Sequence, residues 1–352
     1  MRLLRLAFLP LSVAILAAAA TTVPLPLYVE EPGTPLSLAD CVTVDSRRAG
    51  PVVGDYLLTT VELLQATTVD AIRGAVDRRI DIVERSAVIP AEISTQDFFD
   101  QQEELFASTA DVAAAVGLRA AGLKTDIRGD GVLVVGTVAD TPADGLLAAG
   151  DVITAVDAAP VRTDVDLRQA IEERGVGEPV TVIFTRRQMR RRVEITPQPY
   201  EGRPVIGIQP QTLNLQVDLA VPVTVASGDI GGPSAGLMIA MTVYDKVDTD
   251  VDLAAGRRIA GTGTIDTQGA VGQIGGIRQK VVAADRDGAQ LFLAPAAQLD
   301  EARSVDLDGE MLVVGVEDFD DALDALRRSA EGQEGDAGPA AESSGCPYQA
   351  SA

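Results

Sequence analysis

Residues 228–241 read GDIGGPSAGLMIAM, and they separate a polar approach from an uncharged apolar segment. The glycines before Ser234 permit a sharp turn, and Pro233 fixes φ at a value suited to the first helical position. The stretch therefore predicts a buried helix with Ser234 at its N-terminus. A serine at this place commonly caps the helix. Its hydroxyl also lies beside backbone N–H groups that have no acceptor within the helix.

The composition limits the chemistry that Ser234 can take part in. The chain has 352 residues, enough for two or three compact domains, and it contains no histidine. Ser-His-Asp, Cys-His and histidine–metal sites are therefore excluded. A net charge of −23 argues against a nucleic-acid partner. No Gly-Lys dipeptide occurs, so a Walker A loop is absent and no bound nucleotide is expected. We also expect no metal and no other cofactor.

Lysine is scarce in this chain and occurs only at Lys124, Lys246 and Lys280. Arginine stays protonated in proteins, whereas a desolvated lysine can become a neutral base. Lys280 lies in the predicted helix IRQKVVAADRDG, on an apolar flank that includes Ala283 and Ala284. It is a candidate base, and the alternative is a lysine whose stem covers apolar surface while its ammonium group reaches water.

The N-terminus carries Arg2 and Arg5, followed by an uncharged apolar run from Leu6 to Tyr28. We interpret residues 1–29 as a transmembrane helix that anchors the protein in the cell membrane, with the remainder outside the cytoplasm. The alternative is a signal peptide cleaved near Ala18–Ala20, which would give a secreted protein. The chain has two cysteines, Cys41 and Cys346. The sequence leaves open whether they pair.

The fold class predicted for the whole chain is α+β. Residues 30–125 show no catalytic spacing and are interpreted as a spacer domain. Residues 126–200 alternate predicted strands with one short helix and resemble a PDZ domain, on the turn TPADG (141–145) and the run LAAGDVI (147–153). The resemblance implies that an extended peptide adds as a strand beside residues 131–138, against the helix at 166–174.

The C-terminal part divides into a working domain and a tail. Residues 201–329 have a mixed α/β pattern, with the helix after Ser234 at its centre. Residues 330–352 are rich in Gly, Ala, Ser and Glu and are predicted to be a disordered acidic tail.

Two segments, GGPSAG (231–236) and TGTIDTQGAVGQIGGIRQKVVAADRDGA (262–289), resemble the Lon-type serine proteases, and among them the membrane-anchored Lon-like proteases that contain a PDZ domain. The resemblance implies Ser234 as nucleophile, Lys280 as general base and Thr262 as the residue that orients the lysine amine. It also places the nucleophile turn and its oxyanion donors at Gly232, Pro233 and Ala235. The chain departs from the family pattern where Gly231 and Thr264 replace acidic residues and RQK replaces KEK.

The resemblance implies a serine endopeptidase with a PDZ module that binds substrate peptides. Because the chain has no Walker A loop, we expect the enzyme to be ATP-independent and to cleave unfolded or loosely structured polypeptides. The resemblance also implies assembly into a homo-oligomeric ring. One alternative is a catalytically idle protein of the cell envelope in which the PDZ module recruits partners. Another is a PDZ peptidase of the C-terminal processing type, but the serine motif of that type is not present.

Overall fold

The computed structural model describes residues 18, 20–77, 79–89, 93–200, 202–226, 228, 230–248, 253–331 and 346–348. These residues form two compact units. The first draws on both parts of the chain, up to residue 123 and from residue 221, and the second comprises residues 124–220. In the sequence, the second unit is thus an insertion within the first.

The strands and helices are numbered in chain order. The strands are β1 (Pro24–Pro32), β2 (Leu36–Ser37), β3 (Val42–Val44), β4 (Asp55–Leu58), β5 (Val61–Thr67), β6 (Asp81–Glu84), β7 (Thr125–Arg128), β8 (Val132–Thr137), β9 (Val152–Val156), β10 (Ala159–Pro160), β11 (Val180–Arg186), β12 (Met189–Ile195), β13 (Gln198–Tyr200), β14 (Arg203–Val205), β15 (Ile208–Thr212), β16 (Gln216–Leu219), β17 (Val223–Val225), β18 (Arg258–Gly261), β19 (Thr264–Ile265), β20 (Val271–Gly272), β21 (Leu291–Pro295) and β22 (Leu312–Val316). The α-helices are α1 (Leu38–Cys41), α2 (Thr68–Val76), α3 (Arg85–Val88), α4 (Thr95–Ala120), α5 (Asp164–Arg174), α6 (Gly236–Val247), α7 (Ile277–Arg286), α8 (Leu299–Arg303) and α9 (Phe319–Glu331), and 3₁₀ turns lie at Pro233–Ala235 and Ala296–Gln298.

A five-stranded sheet in the order β2-β4-β18-β21-β22 forms the centre of the first unit. All neighbouring pairs are parallel except β2 with β4. Helices cover parallel sheets on both faces, which explains why the apolar strand β21 is buried along its whole length. Helix α7 contributes Ile277, Val281 and Ala284 to the same apolar cluster as Phe292 of β21. The sheet thereby fixes the helix that carries Lys280.

The segment interpreted as a spacer is built into this same unit. Strand β4 lies inside the central sheet, and helix α4 packs along α6. The two helices approach closely at Gly117, where an added Cβ would lie 2.4 Å from the carbonyl oxygen of Ala240. The sequence did not indicate this because the partner of β4, strand β18, lies about two hundred residues further along the chain.

The predicted transmembrane helix over residues 1–29 is wrong. Residues 1–17 and 19 lie outside the described part of the chain, but Pro24–Pro32 form strand β1, which pairs with β5 and β6. Among the described helices, none has the length and apolar character needed to cross a bilayer. Pro24 and Pro26 favour extended backbone, and Val29 packs in a small apolar core. The fold is therefore mixed α/β with a β-rich inserted module.

The second unit has the β-rich character expected of residues 126–200. Its main sheet has the order β12-β11-β9-β8-β15, and β10 pairs with β9. Helix α5 begins after Thr163, which forms a capping box with Asp166. Leu167 and Ile171 of this helix pack in the same buried cluster as Val134 of β8.

The expected site for an added peptide strand is already filled by the chain itself. Strand β8 pairs with β9 on one side and with β15 on the other. No described strand pairs with the outer edge of β15, and the side chain of Thr212, at the end of β15, donates a hydrogen bond to Asp164 at the start of α5. The edge beside the helix therefore belongs to β15, beyond the C-terminal boundary that the sequence analysis placed at residue 200.

Candidate active site

Ser234 lies in the 3₁₀ turn that leads into α6. Gly232, just before the turn, has φ = 87°, a left-handed value that glycine adopts at little cost. Gly236 follows at the start of α6, and an added Cβ there would lie 2.7 Å from the side chain of Ile265. The chain therefore turns tightly on both sides of the serine. The Ser234 hydroxyl accepts a hydrogen bond from Lys280, so the side chain is directed toward the lysine.

Lys280 is buried in α7, with only 4% of its surface exposed. Its Nζ lies 2.6 Å from Ser234 Oγ and 3.1 Å from Thr262 Oγ1. Burial away from water lowers the pKa of Lys280 from 10.5 to about 7. Near neutral pH a large fraction of this amine is therefore unprotonated and able to accept the serine proton.

Thr262 connects Lys280 to the backbone of Ser234. Its side chain is fully buried, and its hydroxyl donates to the carbonyl oxygen of Ser234 at 3.1 Å. Since that hydroxyl proton is engaged, the Thr262 oxygen acts as an acceptor toward Lys280. The N–H of Gly263 also donates to the Ser234 carbonyl, at 2.9 Å. These contacts fix the orientation of the lysine amine relative to the serine.

The backbone donors of the nucleophile turn are not equivalent. Pro233 has no N–H, and the N–H of Gly232 donates to the carbonyl oxygen of Gln102 in α4 at 2.8 Å. The N–H groups of Ser234 and Ala235 lie in the first turn, where N–H groups have no acceptor within a helix. Of the three residues implied at the nucleophile turn, Gly232 therefore donates to Gln102, whereas Ala235 lies in the first turn together with Ser234.

Contacts of the neighbouring residues account for two departures from the Lon pattern. An added Cβ at Gly231 would lie 2.7 Å from the Cβ of Gln102, so helix α4 occupies the space that an acidic side chain would need. Gln279, in the middle of the RQK run, is buried and donates to Asp81 of β6 at 2.6 Å. An amide at this position can donate to that carboxylate, whereas an ionised glutamate cannot.

Ser234 and Lys280 open onto a cleft with a volume of about 860 Å³. Its walls include β5, the N-terminal half of α4, the loop before Ser234 and the glycine pair before α7. Strand β5 and helix α4 come from the segment interpreted as a spacer. The sequence contained no signal for these walls, because apolar residues such as Phe98 and Phe99 of α4 look like ordinary helix residues.

The two cysteines, whose pairing the sequence left open, form a disulfide between Cys41 and Cys346. The predicted disordered tail spans residues 330–352, of which 332–345 and 349–352 lie outside the described part of the chain. Residues 346–348 are described, and Pro347 and Tyr348 line the cleft. No group of three or more acidic or cysteine side chains suited to hold a metal ion occurs among the described residues.

Comparison with known proteins gives two family matches. Residues 205–327 match the Lon protease (S16) C-terminal proteolytic domain, and residues 114–196 match the PDZ domain. The Lon protease of Mycolicibacterium smegmatis is 33% identical over 94 residues, which cover 26% of this chain and 11% of that protein. The Lon protease of Roseiflexus castenholzii is 31% identical over 121 residues, which cover 32% of this chain and 15% of that protein. The chain thus spans only a small part of these relatives.

Among solved structures, the PDZ domain of an SdrC-like protein from Listeria monocytogenes is 29% identical, with a TM-score of 0.22, covering 23% of this chain and 87% of that chain. A protein from Geobacillus thermodenitrificans is 32% identical, with a TM-score of 0.20, covering 22% of this chain and 88% of that chain. Residues 205–327 are therefore similar to the proteolytic domain of Lon proteases, and residues 114–196 are similar to a PDZ domain.

Proposed function

We propose that this protein is a serine endopeptidase in which Ser234 is the nucleophile and Lys280 the general base. The observation that carries the proposal is the 2.6 Å contact between Lys280 Nζ and Ser234 Oγ at an open cleft. A binding scaffold has no need to bury a lysine beside a serine, since burial of the charged form is unfavourable. A role in catalysis explains why the pair is retained.

The reaction follows from the geometry. The neutral amine of Lys280 accepts the proton of Ser234 as Oγ attacks a peptide carbonyl carbon, and the N–H groups of Ser234 and Ala235 donate to the resulting oxyanion. The positive end of the α6 dipole favours the same negative charge. The ammonium of Lys280 then protonates the departing amine, leaving an acyl ester on Ser234. The same lysine deprotonates the water that hydrolyses this ester.

The substrates are proposed to be unfolded or loosely structured polypeptides, cleaved without ATP. The chain contains no Walker A sequence that would couple nucleotide hydrolysis to unfolding. We further propose that it acts outside the cytoplasm, because disulfides such as Cys41–Cys346 persist mainly in oxidising compartments.

Cleavage of unfolded casein without ATP tests the proposed function. We expect Ser234→Ala to reduce kcat/KM by at least about 10³-fold, since removal of a nucleophile eliminates the acyl-enzyme route. It should also abolish labelling by a fluorophosphonate probe. The matched control is Ser304→Ala, which alters an exposed serine at the end of α8 and should leave both readouts unchanged. Equal cleavage by wild type and Ser234→Ala would refute the proposal.

We propose that the inserted module binds a peptide on the outer edge of β15, between that strand and α5. Gly207, just before β15, has φ = 81°, and an added Cβ would lie 2.0 Å from Thr141 Oγ1. A side chain at this position would therefore displace the start of the binding strand.

Gly207→Ala in the full chain should weaken binding to an array of peptides with free C-termini by about tenfold or more, the loss expected when a main-chain binding edge is displaced. Gly177→Ala is the control, because Gly177 has a similar φ of 83° but open space around its Cβ position. The edge assignment fails if the two variants bind alike.

A further inference from the structure

One wall of the cleft comes from a part of the sequence far from the dyad. Pro347 and Tyr348 line the same cavity as Ser234 and Lys280. The Tyr348 ring packs against Gly228, where an added Cβ would lie 2.3 Å from ring atom Cε1. The residue is nevertheless 47% exposed. An aromatic ring that is packed on one side and open toward a cleft offers an apolar surface to a bound chain.

The disulfide fixes the position of this wall. Cys346 directly precedes Pro347, and its partner Cys41 is buried, with 1% of its surface exposed. The carbonyl oxygen of Cys41 accepts a hydrogen bond from the N–H of Ala226 at 2.9 Å. The anchor point is thus tied to the chain that leads into the nucleophile turn. Tyr348 lies only two residues from a covalent link to the core of the unit.

We propose that Tyr348 is a specificity-determining residue that contacts the substrate chain, and that the Cys41–Cys346 disulfide holds it in the cleft. Substrate affinity then depends on the redox state of this disulfide. The inference rests on the proposed protease function, because it treats the cleft beside Ser234 as the substrate site.

The redox step requires a dithiol reductant. Its thiolate attacks the sulfur of Cys346, which is partly exposed, and the sulfur of Cys41 leaves as a thiolate that is then protonated. The second thiol of the reductant attacks the mixed disulfide and releases Cys346 as a thiol. Two electrons and two protons pass to the protein, and the reductant becomes a cyclic disulfide. Pro347 and Tyr348 then lose their covalent anchor.

The test measures cleavage of labelled unfolded casein by the full chain with and without dithiothreitol. We expect Tyr348→Ala, Cys346→Ser and reduced wild type each to raise KM by about tenfold, with kcat changed less than about twofold. Dithiothreitol should have no further effect on Cys346→Ser. Tyr348→Phe should raise KM less than Tyr348→Ala does, because the ring is retained. Tyr200→Ala, which removes an exposed tyrosine outside the cleft, is the matched control.

Anisotropy measurements of casein binding in the Ser234→Ala background separate this inference from the proposed function. The dissociation constant should rise on reduction there too, even though no turnover occurs. An unchanged KM and dissociation constant after Tyr348→Ala and after reduction would overturn the inference. A fall in kcat at constant KM would also overturn it, since the segment would then act on the nucleophile turn rather than on substrate.

Discussion

Replacing Lys280 with methionine is expected to abolish peptide-bond cleavage and, at the same time, to stabilise the fold at neutral pH. Methionine fills a similar volume and has no group that can accept the proton of Ser234. Since the chain contains no histidine to substitute as base, kcat/KM should fall by at least about 10³-fold. The casein assay used for Ser234 measures this loss.

The gain in stability follows from the pKa of the buried lysine. The pKa of Lys280 is about 7 in the folded protein, whereas an unfolded lysine has a pKa of about 10.4. Between pH 7 and pH 10.4 the lysine is protonated in the unfolded state but largely neutral in the folded state. Lys280 therefore lowers the free energy of unfolding as the pH falls below about 10.4, and this destabilisation stops growing below about pH 7. The cost at pH 7 is about 4 kcal/mol, and loss of the contact to Ser234 offsets about 1 kcal/mol of it.

Urea unfolding at pH 7 and pH 10 tests whether Lys280 lowers the free energy of unfolding. The free energy of unfolding of Lys280→Met should exceed that of wild type by about 3 kcal/mol at pH 7. This difference should largely disappear at pH 10. Lys124→Met, which alters an exposed lysine, should show no such pH-dependent difference.

For wild type, kcat/KM should rise as the pH increases through about 7, because only the neutral amine acts as a base. A more stable wild type at pH 7, or a pH-independent kcat/KM, would contradict this account of Lys280.

The sequence indicated Ser234 and Lys280 as site residues more clearly than it indicated the architecture around them. Ser234 is recognisable from its glycine-proline turn, and Lys280 from its rarity and apolar flank, so local patterns and a family resemblance were enough to choose them. The structure brings both side chains together with Thr262. Gln102, which binds Gly232 and fills the space beside Gly231, had no local signal, because its role depends on a packing partner more than a hundred residues away.

The error at the N-terminus has a related cause. Hydropathy over residues 6–28 measures apolar character but not the backbone conformation that the residues adopt. Pro24 and Pro26 have no N–H to donate within a helix, and the partner strands β5 and β6 supply the hydrogen bonds that a membrane helix would form internally. Similarly, strand β4 precedes the inserted module, and its membership of the central sheet depends on pairing with β18 across that insertion.

Gly117→Ala is expected to destabilise the protein and to impair catalysis, although Gly117 lies far from Ser234 in the sequence. In an ordinary helix interior, glycine to alanine is stabilising by about 1 kcal/mol. Here the added Cβ would lie 2.4 Å from the carbonyl oxygen of Ala240 and 3.1 Å from the Cβ of Val243, both in α6. Backbone cannot move aside as a flexible side chain can, so α4 and α6 must separate. Overpacking of this kind costs about 1–3 kcal/mol.

The separation of α4 from α6 should displace the active site, because both helices contact the turn that carries Ser234. Helix α6 begins two residues after Ser234, and the carbonyl oxygen of Gln102 in α4 accepts a hydrogen bond from the N–H of Gly232. A displacement of about 1 Å in a catalytic group lowers rates by about 10²-fold, so kcat should fall more than KM rises. Urea unfolding and casein kinetics measure the two effects, with the exposed α4 variant Gln101→Ala as control. If Gly117→Ala were more stable than wild type and fully active, the packing of α4 on α6 would not support the turn that carries Ser234.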